Sequence, residues 1–169
     1  MRITERILVL ILVSALAFTS CGIYSFSGTS IQPDVKTVTI NYFDYKALRM
    51  NPTLSNDLTE ALRTEFRKMT KLEQVDLDGD IEITGEITGY DVAAAAVTAD
   101  EVAAKNRLTV TVKINFTNRL YPEEDFDKSF SQYEEYDSTN SLDAVESTLC
   151  ADIIKKLVDD IFNASVANW

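Results

Sequence analysis

Arg107-Leu108-Thr109-Val110-Thr111-Val112-Lys113-Ile114-Asn115-Phe116-Thr117-Asn118 decides the fold. Leu108, Val110, Val112, Ile114 and Phe116 alternate with Thr109, Thr111, Lys113, Asn115 and Thr117 without a break. A strict period of two is the signature of a strand with one buried face and one face that meets water or a partner. Thr109, Thr111 and Lys113 are therefore the candidate partner-facing residues.

Working back from this strand, residues 91–105 are Ala-rich with few large side chains. They predict a long, weakly packed and mobile hairpin end. Before them, Ile81, Ile83, Gly85, Ile87 and Gly89 fall on one face of a second strand, against Glu82, Thr84, Glu86 and Thr88. Two glycines four residues apart imply a close approach to the sheet or a bulge. Working forward, the loop Tyr121-Pro122-Glu123-Glu124-Asp125 leads into Phe126–Tyr133. The imperfect alternation of that aromatic strand suits an edge or a bulge.

Two helices and one more strand complete the plan. Asn51 and Pro52 read as an N-cap and first helical residue, and Leu54, Leu58, Ala61, Leu62, Phe66 and Met69 then recur at spacings of three and four. This predicts a helix over 52–69. Asn140 caps a second helix reaching about Ala164, with a stripe of Leu142, Val145, Leu149, Ile153, Leu157 and Ile161 widened by Ile154, Val158 and Phe162. Val35–Tyr42 is rich in β-branched residues and forms the first strand. The predicted fold is α+β: a mostly antiparallel four-stranded sheet in the order β-α-β-β-β-α, with two helices packed on one face.

The N-terminus has its own logic. Arg2 and Arg6 precede the apolar run Ile7–Phe18, then come Thr19, Ser20, Cys21 and Gly22. The run is too short for the roughly 20 residues that span a bilayer, so residues 1–20 read as a cleaved lipoprotein signal peptide. Cys21 is the candidate lipidation site, with residues 21–34 an extended, Ser- and Gly-rich arm and 35–169 one α+β domain. Gly22 in place of Asp favours delivery to the outer membrane. A covalent lipid on Cys21 makes release from a membrane negligible.

The chain has 169 residues and a formal net charge of −11. Removing residues 1–20, which carry Arg2, Arg6 and Glu5, leaves 149 residues at −12. Such acidity argues against nucleic acid, whose phosphates need cations. Histidine is absent, which removes the commonest general base and metal ligand. Cys150 has no intrachain partner once Cys21 is acylated, and it packs as a small hydrophobe in a helical stripe.

Neither of two acidic patterns amounts to a catalytic or metal site. Asp76, Asp78 and Asp80 alternate like the start of a calcium loop, but the glycine falls at 79 and Ile87 stands where a twelfth-position Glu belongs. An Asp-Gly turn is the simpler account. Glu123, Glu124, Asp125, Asp127, Glu134 and Glu135 could supply a glycosidase's pair of carboxylates, but acids clustered in a Pro-containing loop are usually solvated surface. No phosphate loop, zinc spacing or nucleophile motif occurs, so no enzyme, cofactor or metal is expected.

Cys21-Gly22-Ile23-Tyr24-Ser25-Phe26-Ser27-Gly28, the strand Val35–Phe43, the Leu-rich helix, Gly85-Glu86-Ile87-Thr88-Gly89-Tyr90, Asn106-Arg107-Leu108-Thr109-Val110 and Asp160-Ile161-Phe162-Asn163 together resemble the LptE family of lipopolysaccharide-assembly lipoproteins, in wording closest to its Bacteroidetes branch. The resemblance implies a lipoprotein anchored on the periplasmic side of the outer membrane. Such a protein plugs an LptD-type β-barrel and assists lipopolysaccharide assembly. It also implies a glycolipid contact through basic residues near a strand end, for which Lys105 and Arg107 are the best-placed cations. The simpler account of Arg107 is that its stem covers an apolar edge. The alternatives are a free periplasm-facing lipoprotein that binds a small ligand or envelope polymer beside Gly85 and Gly89, and a lipoprotein hydrolase using acid pairs.

Overall fold

The computed structural model describes residues 31–95 and 104–166. The leader, Cys21, all of the arm before residue 31 and the tip of the Ala-rich hairpin lie outside the described residues. Among the described residues the elements run β1 (Thr37–Ile40), β2 (Asp44–Tyr45), α1 (Leu54–Met69), β3 (Glu73–Gln74), β4 (Ile81–Ala94), β5 (Lys105–Asn118), β6 (Phe126–Asp137) and α2 (Leu142–Val166). No helix among them is long and apolar enough to cross a membrane.

The six strands form one mixed sheet in the order β3-β1-β4-β5-β6, with β2 also paired to β4. The expected four-stranded, mostly antiparallel sheet is corrected twice: the two-residue strands β2 and β3 bring it to six, and on one side β1 runs parallel to both β3 and β4 as β2 does to β4. The cause is the connection. A helix between two strands of one sheet carries the chain back to its starting end, so the next strand runs the same way. On the other side β4-β5-β6 is an antiparallel meander. The aromatic strand lies at the edge, as its broken alternation predicts, and it extends to Asp137, past the expected end at Tyr133.

β1 and β2 act as one strand interrupted at residues 41–43, because Val38, Thr39 and Ile40 pair with Ile81, Glu82 and Ile83, and Asp44 and Tyr45 with Glu86 and Ile87. The interruption turns Phe43 into the core, where it is fully buried. Its ring lies over Gly85, and a Cβ at Gly85 would come within 2.9 Å of three ring atoms. Glycine is needed here for space, as close approach predicts. Gly89 marks a bulge: register shifts between Ile87 and Gly89, so Ile87 faces Val112 while Tyr90 faces Val110. The slip corrects the expected alternation by sending Tyr90, 2% exposed, into the core instead of Gly89.

The core is one cluster in which the inward faces of β1, β4 and β5 meet both helices. Ile81, Ile83, Ile87, Leu108, Val110, Val112, Ile114 and Phe116 lie under Leu54, Leu58, Leu62 and Phe66 of α1 and Ile153, Leu157 and Ile161 of α2. Each such side chain contributes about 1.5–3 kcal/mol by leaving water. Phe66 meets Phe162 edge-on at 5.1 Å, locking helix to helix. Two details depart from the expected stripe on α1. Met69 is exposed, and Thr59, outside the expected stripe, is buried, accepting the Phe43 N–H at 3.2 Å and donating to the Ser55 carbonyl at 2.7 Å. The helix starts at Leu54 with Thr53 at its N-cap, two residues later than the expected start at Pro52, and Asn51 Oδ1 steadies the approach by accepting from Thr53 N at 3.2 Å and Leu54 N at 3.1 Å.

Candidate partner-facing surface and cation cluster

Because β5 pairs with β6 in unbroken register, its odd-numbered residues share one face. Lys105, Arg107, Thr109, Thr111 and Lys113 therefore form one stripe, about 26 Å long at roughly 3.3 Å per residue. The two candidate sites read from the sequence are thus one continuous surface. Strand β6 lines one side of it with Glu135, Tyr133, Ser131 and Ser129, and β4 lines the other with Asp91, Gly89 and Glu86. Thr111 and Ser131 share a hydroxyl hydrogen bond at 3.0 Å. Lys113 reaches Asp127 at 3.0 Å, a bond that raises the pKa of the ammonium.

At the hairpin end of the stripe the cations are not independent. Arg107 donates to Glu135 Oε1 through Nη2 at 2.6 Å and Nε at 3.2 Å, while Lys105 Nζ lies 3.9 Å from Oε2 of the same carboxylate. The Arg107 guanidinium also lies 4.0 Å from the centre of the Tyr133 ring, a cation–π geometry. The Glu135 hydrogen bond raises the pKa of Arg107. This cluster has a net charge of +1, so an anion binding there must compete with Glu135. Sequence reading paired Glu135 with Glu134 and missed both it and Tyr133 as neighbours of Arg107. Strand alternation could have found them, since residues 133 and 135 share a face.

The acidic patterns have structural roles. Glu134 and Glu135 point to opposite faces, and Glu134 pairs with Lys156 of α2 at 2.7 Å. Asp125 accepts the Asn118 N–H at 2.7 Å, and Glu124 accepts from Asn118 Nδ2 at 2.8 Å and from Gln32. Asp80 Oδ2 accepts from Lys36 N at 2.8 Å and Thr37 N at 3.0 Å, which lowers its pKa, the Lys36 N–H first. Asp78 holds a positive φ of 59° and binds Arg119 at 2.7 Å. The turn-forming account of Asp76–Asp80 is thereby explained.

Two further features surround the stripe. A depression of about 300 Å³ lies beside Gly85, lined by Asn41, Tyr42, Asp44, Thr84, Glu86, Lys113, Asn115 and Asp127. Gly89 does not line it. On the helix side, Tyr90 OH donates to Glu146 Oε1 and lies 3.8 Å from Cys150 Sγ, and Asn51 Nδ2 approaches Tyr90 OH and Glu146 at 3.4 Å and Cys150 at 3.6 Å. Cys150, 7% exposed, is buried as expected, and burial raises its thiol pKa.

The family model described as LptE, lipopolysaccharide-assembly, matches residues 35–165. No curated protein matches the sequence. Among solved structures, a hypothetical protein from Chlamydia trachomatis is similar at a TM-score of 0.53 and 9% identity, over 79% of this chain and 99% of that one. A minor lipoprotein from Acinetobacter baumannii is similar at 0.49 and 14% identity, over 75% and 89%. Rare lipoprotein B from Shewanella oneidensis follows at 0.44 and 11% identity, over 73% and 90%. At 9% identity the first likeness is one of fold.

Proposed function

The chain belongs to the LptE family of lipopolysaccharide-assembly proteins, and from that premise we propose that it is the lipid-anchored partner and plug of an LptD-type outer-membrane β-barrel. The family is non-enzymatic, and its members partner that barrel. The chain is held at the periplasmic side of the outer membrane through acyl chains on Cys21, after removal of residues 1–20, and residues 35–169 act as one unit.

One observation supports the reading above others. Both helices pack on one sheet face, while the opposite face of β5 is a polar stripe of cations, threonine hydroxyls and the Asn115 amide. A polar face of this kind suits the polar lumen of an outer-membrane barrel. Lys105 and Arg107, at one end of the stripe, are the proposed contact for glycolipid phosphates, with Glu135 as an internal competitor.

The test is purification of the lipoprotein from detergent extracts, together with photoreactive residues at 109, 111 and 113 in living cells. The expected outcome is one large β-barrel protein, both co-purified and crosslinked. The depression beside Gly85 favours a second reading, a free lipoprotein that binds a small ligand or envelope polymer. Extraction as a monomer with no barrel attached would support that reading against the first.

A further inference from the structure

One loop presents side chains that the fold does not use. Lys46-Ala47-Leu48-Arg49-Met50 carries the chain from β2 toward α1. Ala47 is buried, but Leu48 is 104% and Met50 75% exposed. Lys46 and Arg49 are exposed beside them. The backbone that carries them is held in place: Lys46 N donates to Ile87 O at 2.9 Å, Tyr45 OH donates to Arg49 O at 2.5 Å, and Asn51 N donates to Tyr45 OH at 3.1 Å.

A single exposed leucine is ordinary. Two large apolar side chains on one pinned turn, interleaved with two cations, are not. Residues 45–52 contain no carboxylate in a chain of net charge −11, so the turn is a local reversal of the molecule's sign. Pre-organised apolar groups bind without the usual cost of ordering a loop, and a few of them commonly carry most of an interface's energy.

We propose that this turn is a docking knob, with Leu48 and Met50 entering an apolar pocket on the barrel partner whose rim presents carboxylates to Lys46 and Arg49. The inference rests on the reading of the chain as a barrel partner. A protein pocket fits better than a lipid surface for two reasons. Lys46 already shares its charge with Asp44 at 3.3 Å, leaving too few cations to hold an anionic lipid surface, where each Lys or Arg contributes only about 1 kcal/mol. The turn also continues the partner-facing surface, because Tyr42, 57% exposed, and Asp44 line the depression that includes Lys113.

The test uses the full lipoprotein in cells, with a photoreactive residue at 48 or at 111, and separately the substitution Leu48→Asp. The expected result is a crosslink from position 48 to the barrel and at least a tenfold loss of co-purified barrel in L48D. The thermal midpoint of the purified variant should not move, since a fully exposed side chain has no burial to lose. Crosslinks from 48 to lipid, or full retention of the barrel by L48D, would overturn the knob while leaving the parent reading intact. Absence of the barrel from wild-type purifications and from crosslinks at 111 would overturn both.

Discussion

Tyr90 shows how one residue ties sequence to stability. It is 2% exposed and its hydroxyl donates to Glu146, so burial first and that bond second push its pKa well above the ordinary 10.0. The folded phenol therefore stays neutral where the unfolded one ionises. Stability holds below pH 10 and falls as the pH rises beyond it, because the unfolded state alone gives up the proton. Tyr90→Phe should flatten that fall and cost about 1–3 kcal/mol at neutral pH by orphaning buried partners. Denaturant midpoints of both proteins at pH 8 and pH 11 check this, and equal losses on going to pH 11 would contradict it. Cys150, by contrast, was legible as buried from its helical stripe, but not its polar neighbours. Asn51 and Tyr90 meet it only because the segment before α1 and strand β4 converge on α2, whereas Glu146 lies one turn earlier on the same helix.

At the scale of elements, what was legible is what is local. The stripes of α1 and α2 and the alternation of β5 are periodic in the chain itself, so they needed no knowledge of neighbours. Strand direction is not periodic. Val38 and Ile40 alternate identically in a parallel or an antiparallel sheet, and only the helix between β1 and β4 carries the information that they run the same way. The bulge was half legible: Gly89 marks its position, but which side chain it redirects depends on the pairing with β5. Deleting Thr88, the residue that the register skips, tests this, since the shortened strand then alternates regularly with Ile87 and Tyr90 both still inward and Tyr90 still opposite Val110. The deletion should cost far less than the about 2–4 kcal/mol lost when one large aromatic leaves the core. Urea unfolding measures it, and a loss of that full size would show that the bulge does not set the register.

At the scale of the whole molecule, charge constrains what the candidate site can do. The chain carries −11 overall, so any attraction for an anionic glycolipid must be local and short-ranged, within about the 8–10 Å over which salt leaves a charge unscreened. The cations were legible from their place at the strand end, and the restraint on them was not, because Glu135 reaches Arg107 from 28 residues away. That pairing gives the site hypothesis two arms of opposite sign. Glu135→Gln raises the cluster from +1 to +2 and should tighten lipopolysaccharide binding by about 1 kcal/mol, roughly fivefold, a modest effect because the groups are part-exposed. Lys105→Glu with Arg107→Glu should weaken it by more, and both differences should shrink as salt is raised. Binding of labelled lipopolysaccharide to the detergent-solubilised lipoprotein, at two salt concentrations, measures all three proteins. Affinities that fail to separate in this order would remove Lys105 and Arg107 from the glycolipid contact and leave Arg107 as a strand-edge residue stacked on Tyr133.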